Sequence, residues 1–146
     1  MRYLKLFEEL QFKFEKVNGV YYFEDSKGNE YRVYFIGPLS DSQLEDSHLT
    51  EKQTFDLEFI TQDNDYTSLT GTGTPFSISN FIFGDILEDF VTSNPECERI
   101  IISSLDRQRS ALYLRSIKNS IPKINFEIEF LDYPATNDIV LCRITS

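Results

Sequence analysis

The chain has no tryptophan, one methionine, one histidine and two cysteines in 146 residues. Each scarcity removes a class of chemistry. A single histidine, His48, leaves no partner imidazole for a metal set. The sequence around it also lacks the signatures that accompany a catalytic triad. Cys97 and Cys142 stand 142 − 97 = 45 residues apart, which is neither a disulfide framework nor a zinc-ligand spacing. Both are read as buried residues, in keeping with the habit of free cysteine. No apolar run approaches the roughly 20 residues that span a bilayer. The N-terminus carries Arg2, Lys5, Glu8 and Glu9 where a secretory signal would need an unbroken apolar stretch. A cytoplasmic protein is therefore expected.

Positive charge is also scarce. Lys and Arg number 14 against 24 Asp and Glu, giving a formal net charge of −10. Nonspecific nucleic-acid binding needs a basic footprint that displaces phosphate counterions, and an anionic membrane needs the same. Neither is expected. A basic protein partner is compatible with the balance.

What is present is apolar and aromatic. Hydrophobic residues make up 40% of the chain, with 13 Phe and 8 Tyr. That suffices for a core and argues against disorder. No repeat or linker divides residues 1–146, which are read as one domain.

The order of elements can be traced from periodicity. Residues 1–10 suit either a short helix or an extended lead-in. Phe12, Phe14 and Val17 alternate with charges and predict a strand. Asn18-Gly19 is a hairpin turn, because both positions must accept positive φ. Val20 to Glu24 returns, Ser26 to Asn29 turns again, and Glu30 to Ile36 completes a meander closed by Gly37-Pro38. Residues 39–53 are polar and acidic, a long loop. Thr54 to Thr61 is a strand with Phe55, Leu57 and Phe59 inward and Asp56 and Glu58 outward. Asp63 to Asp65 turns the chain towards a paired strand at 66–72.

Thr74-Pro75 reads as the cap and first residue of a helix over about 75–92. Ile82, Phe83, Ile86, Leu87, Phe90 and Val91 share one side, and Gly84, Asp85, Glu88 and Asp89 share the other. Arg99 to Ser103 is a short buried strand. A second helix is expected over about 106–120, capped by Asp106 and ended by Pro122, with Ala111, Leu114, Ile117 and Ile121 as its stripe. Phe126 to Leu131 and Ile139 to Ile144 form a terminal hairpin. The expected class is α+β: a mainly antiparallel twisted sheet, built of the N-terminal meander and the C-terminal hairpin and covered on one face by two helices.

Candidate functional residues are mostly carboxylates. Thr70-Gly71-Thr72-Gly73-Thr74 leads into a helix, but it lacks the Gly-Lys-Ser/Thr ending of a phosphate loop. It reads as a relaxed turn. Asp63-Asn64-Asp65 lacks the downstream glycine and bidentate glutamate of a calcium loop. Asp85 and Asp89 lie four residues apart on one helix face and should repel. With Glu88, and with Asp41, Glu45, Asp46 and Glu51 of the loop, they are the expected partner-binding residues. Arg107, Arg109 and Arg115 give the second helix a basic side suited to salt bridges with the first. Tyr21, Tyr22, Tyr34 and Phe81 cannot all point inward, and tyrosine on an open sheet face suits protein contact.

Tyr31-Arg32-Val33-Tyr34-Phe35, Thr70-Gly71-Thr72-Gly73, the helix Ile82 to Phe90, and Arg109-Ser110-Ala111-Leu112-Tyr113 occur in a fixed order. Together they resemble a pattern of small α+β proteins of unknown function from phages, prophages and Bacteroidetes-type genomes. The resemblance covers about residues 17–120. It implies the order of the fold and a mobile-element origin, and it brings no catalytic residues. The expected function is a non-enzymatic acidic protein-binding module. Its target would be a basic host protein such as a defence nuclease, without cofactor, membrane or direct nucleic-acid contact. The alternatives are a self-assembling homodimer or virion component joined through exposed aromatic strands and, less favoured, a carboxylate enzyme using a divalent metal.

Overall fold

The computed structural model describes residues 13–25, 28–39, 53–61, 75–103, 107–131 and 138–144. The expectations for 1–10, for the acidic loop with Asp41, Glu45, Asp46, His48 and Glu51, for the 63–74 turn region and for the Asp106 cap lie outside the described residues.

Seven strands form one sheet. They are β1 (Glu15–Val17), β2 (Val20–Glu24), β3 (Glu30–Ile36), β4 (Thr54–Thr61), β5 (Arg99–Ile102), β6 (Phe126–Leu131) and β7 (Ile139–Arg143). Their order is β1-β2-β3-β4-β5-β7-β6. Asn18 and Gly19 both take positive φ, 52° and 81°, so the turn matches the twist of the strands it joins and fixes Val17 opposite Val20. At the next turn the Asp25 carboxylate accepts hydrogen bonds from the Asn29 backbone N–H at 2.9 Å and from the Tyr31 hydroxyl at 3.3 Å. All neighbours run antiparallel except β4 and β5, which are parallel.

Parallel neighbours need a crossover, and helix α1 supplies it. It runs in three parts, Pro75–Asn80, Phe81–Ile86 and Leu87–Ser93, of which the middle one is π-helical. The sequence explains the wide turn. Buried residues fall in pairs every fourth position: Ile78 and Ser79, Ile82 and Phe83, Ile86 and Leu87, Phe90 and Val91. In a straight α-helix a four-residue repeat drifts by roughly 40° per step. A π stretch, with more residues per turn, takes that drift back and keeps all four pairs on the sheet. The expected boundaries hold within a residue, but a search at the 3.6-residue period does not show the π stretch.

Helix α2 (Arg107–Ile124) corrects the expected end at residue 120. Pro122 sits inside the last turn. Proline removes only the hydrogen bond to the carbonyl of Lys118, and that turn is exposed at Lys118, Pro122 and Lys123, where water can serve the carbonyl. The helix stops instead at Asn125, whose φ of 61° places it in the left-handed cap conformation. The stripe is also rotated from expectation. Tyr113, Ser116, Ile117, Ser120 and Ile124 are buried, and Ala111 is exposed. The reason is a tight contact between helices made by small residues. The hydroxyls of Ser79 and Ser116 lie 2.7 Å apart, and a Cβ on Gly84 would stand 3.6 Å from Ser120 Oγ. Gly84, expected on the polar side, belongs to this contact.

Both helices cover one face of the sheet, as the α+β reading expected. The inward residues alternate along every strand: Tyr21 and Phe23, Tyr31 and Val33, Phe55, Leu57 and Phe59, Ile100 and Ile102, Ile139 and Leu141. Aromatic rings fill one end of this core. Phe35 stacks on Phe90 at 3.8 Å between centroids, and Phe23 stacks on Tyr31 at 4.9 Å. The opposite face of the sheet carries Tyr22, Glu24, Glu30, Arg32, Tyr34, Asp56 and Glu58.

Candidate functional site

The three helix carboxylates chosen from the sequence do not share one environment. Asp85, in the π stretch, and Glu88 are exposed. Neither makes an ion pair among the described residues, so the expected bridge from α2 to these two is not formed there. Asp89 is half-buried and committed. Its Oδ2 accepts a 2.6 Å hydrogen bond from the Tyr21 hydroxyl and a 3.2 Å bond from Lys16 Nζ. The bond from Tyr21, followed by Lys16, holds the Asp89 carboxyl below its ordinary range. Burial, followed by Asp89, pushes the Tyr21 phenol up. The contact fastens α1 to β1 and β2. It leaves Asp89 little freedom to serve a partner.

The face of the sheet away from the helices holds a second acidic group that strand alternation described only as outward. Asp56 and Glu58 follow each other on that face of β4. Burial lifts the Asp56 carboxyl to about 7, helped by the neighbouring Glu58 and by Asp138. One oxygen, Asp56 Oδ1, is buried without a hydrogen-bond partner. The available signal was a pair of carboxylates two apart on a strand flanked by strands on both sides, where outward need not mean solvated.

On the same face, Arg99 is 4% exposed. Its Nε and Nη2 donate to the two carboxylate oxygens of Glu129 at 2.7 and 3.1 Å, a bidentate geometry. Its Nη1 is buried and unpartnered. The strand signal at 99–103 showed the β-branched run but not that its first residue would be a buried arginine.

At the β1 end of this face Lys13, Glu15, Tyr22, Phe23, Glu24 and Glu30 line a cavity of about 300 Å³. Arg32 lies beside it, donating from Nε to Glu30 Oε1 at 3.3 Å with its guanidinium 5.9 Å from the Tyr22 ring centre. Of the four aromatics that could not all point inward, Tyr21 and Phe81 are buried and Tyr22 and Tyr34 are half-buried on the outer face.

Cys97 and Cys142 are both buried and free. Burial raises the Cys97 thiol to about 12, which leaves it without nucleophilic thiolate near neutral pH. Among the described residues no group of three or more His, Cys, Asp or Glu is placed to hold a metal ion, and no helix is long and apolar enough to cross a membrane. No family model, curated protein or solved structure matches the chain.

Proposed function

We propose that this protein is a non-enzymatic, acidic protein-binding module acting in the cytoplasm. Its partner is a basic, nucleic-acid-binding protein, for which its carboxylates imitate a phosphate backbone. The observation that carries the reading is the state of Asp85 and Glu88. They stand exposed on the outer side of α1 without an ion pair among the described residues, in a chain of net charge −10. Like charges gathered on one surface raise the rate at which an oppositely charged protein arrives and bias its orientation. The acidic stretch with Asp41, Glu45, Asp46 and Glu51 adds to the same field. The mobile-element resemblance makes a host defence nuclease the target class in this reading.

The test is capture of partners on the tagged protein from host lysate at low and high salt, with the captured proteins identified by mass. The expected result is a basic nucleic-acid-binding protein that is lost at high salt and displaced by duplex DNA. Reversal of Asp85, Glu88 and the four loop carboxylates to Lys should abolish its capture. Capture that survives those reversals would overturn the proposal.

A further inference from the structure

We infer that the cavity on the outer face of β1, β2 and β3 is a subsite for an arginine or lysine side chain of a basic polypeptide. The inference rests on the binding reading above and gives it a second, separate contact point on the opposite side of the sheet from the helices.

The argument starts from register. Glu24 lies directly opposite Glu30 across β2 and β3, and Glu15 lies directly opposite Tyr22 across β1 and β2. Like charges directly opposed on a sheet are destabilising. Here the opposed pair borders a cavity of about 300 Å³ whose lining holds Glu15, Glu24 and Glu30 against one cation, Lys13. The cavity is therefore electronegative and large enough for the head of a long basic side chain. Tyr22 adds an aromatic surface, and a cation over such a ring is attracted by its quadrupole.

The protein already shows that this chemistry works at this place. Arg32, opposite Tyr22 in the register, sets its guanidinium 5.9 Å from the Tyr22 ring centre and bonds Glu30. An internal arginine thus occupies one side of the tyrosine and one of the carboxylates. Glu15 and Glu24 are exposed and make no ion pair among the described residues. An incoming guanidinium finds there the same combination of ring and carboxylates. Charge complementarity selects a basic segment over an acidic or apolar one.

The arrangement gives the inference a signature that a plain solvated surface lacks. Removing charge at Glu24 relieves the Glu24–Glu30 opposition, so it should make the free protein more stable while weakening binding. Stability and binding should move in opposite directions.

The experiment is a titration of the intact protein with an arginine-rich hexapeptide, a lysine-rich one and a glutamate-rich control, followed by amide NMR shifts and calorimetry. Expected are shifts centred on Lys13, Glu15, Tyr22, Glu24 and Glu30 for the two basic peptides and none for the acidic one. Glu24→Gln with Glu15→Gln should weaken binding at least tenfold and raise the midpoint of thermal unfolding. Tyr22→Leu should weaken the arginine peptide more than the lysine peptide. Asp85→Asn with Glu88→Gln, on the other side of the molecule, should change peptide affinity less than twofold. Peptide binding that responds to the helix variants and ignores the cavity variants would overturn the subsite and leave the general reading standing. Absence of binding by either basic peptide, together with failure to capture a basic partner from lysate, would overturn both.

Discussion

The hydroxyl of Tyr21 donates a 2.6 Å hydrogen bond to Asp89 across a sequence separation of 68 residues. It ties the second strand of the sheet to the last turns of α1. The geometry is that of a neutral donor on an ionised acceptor, the stronger class of hydrogen bond. Lys16 stands on the same carboxylate, but both partners of that pair are 36% exposed, so it adds little.

Tyr21→Phe should therefore cost about 1.5–3 kcal/mol, the range for a hydrogen bond to a charged group, with little change in packing. Lys16→Met should cost less than about 1 kcal/mol. Urea unfolding of the two variants checks the order. NMR titration should show the Asp89 carboxyl moving up in Tyr21→Phe, since the Tyr21 bond is the main cause of its lowered value. The stability from this carboxyl is present above its unfolded value and is lost as pH falls through its folded one.

Asp56 behaves in the opposite sense. Folding lifts its carboxyl from 3.8 to about 7, so between those values the folded state holds a proton that the unfolded state has released. Stability from this group is greatest at acid pH, declines as pH rises through that window, and is level above it. Asp56→Asn should leave stability at pH 4 nearly unchanged. At pH 8 it should raise it by on the order of 2 kcal/mol, after discounting for the solvent that reaches the group. A stability–pH profile of the two proteins that runs parallel would contradict this.

Glu129→Ala should be among the most damaging single changes. It leaves the Arg99 guanidinium, 4% exposed, without its bidentate acceptor. Stranding a buried charge costs about 3–5 kcal/mol. Replacing both residues, as Arg99→Met with Glu129→Leu, should recover most of the loss. Denaturant midpoints of the single and double variants measure it.

Gly37→Ala tests packing alone. A Cβ there would lie 2.7 Å from Phe55 Cδ2 and 2.8 Å from the Thr54 carbonyl oxygen. Phe55 is a core residue, packed edge-on against Phe90 at 5.3 Å, so neither neighbour can yield cheaply. A loss of about 1–3 kcal/mol is expected, read as a lower thermal midpoint. A wild-type midpoint would show that the strand end relaxes freely.

Much of this architecture was legible in the sequence because period and turn chemistry agreed. Phe23, Tyr31, Val33, Phe55, Leu57 and Phe59 alternate as strands require, and Asn18-Gly19 admits few other conformations. The sequence was less informative where contacts are made by small or polar residues. Ser79, Gly84, Ser116 and Ser120 join the helices, and no hydrophobic pattern marks them. Pro122 looked like a stop because proline ends helix interiors, yet an exposed last turn tolerates it. The carboxylates divided for a similar reason. Charge on a helix wheel places Asp85, Glu88 and Asp89 together, but only the fold brings Tyr21 and Lys16 onto Asp89. Nor does sequence spacing alone reveal that Glu24 and Glu30 face each other, a pairing fixed by the register of β2 and β3.

The position of β7 bears on how the chain is made. It follows every other strand in sequence yet lies between β5 and β6, pairing Ile100 with Leu141 on one side and Ile128 with Leu141 on the other. During vectorial synthesis β1 to β5 can associate as soon as they leave the ribosome. The edge of β5 stays open until residue 143 has emerged. A nascent chain stalled between β6 and β7 would thus present two unsatisfied strand edges, the state most prone to pairing with another molecule. Completion of the sheet is in this sense a readout of completed translation.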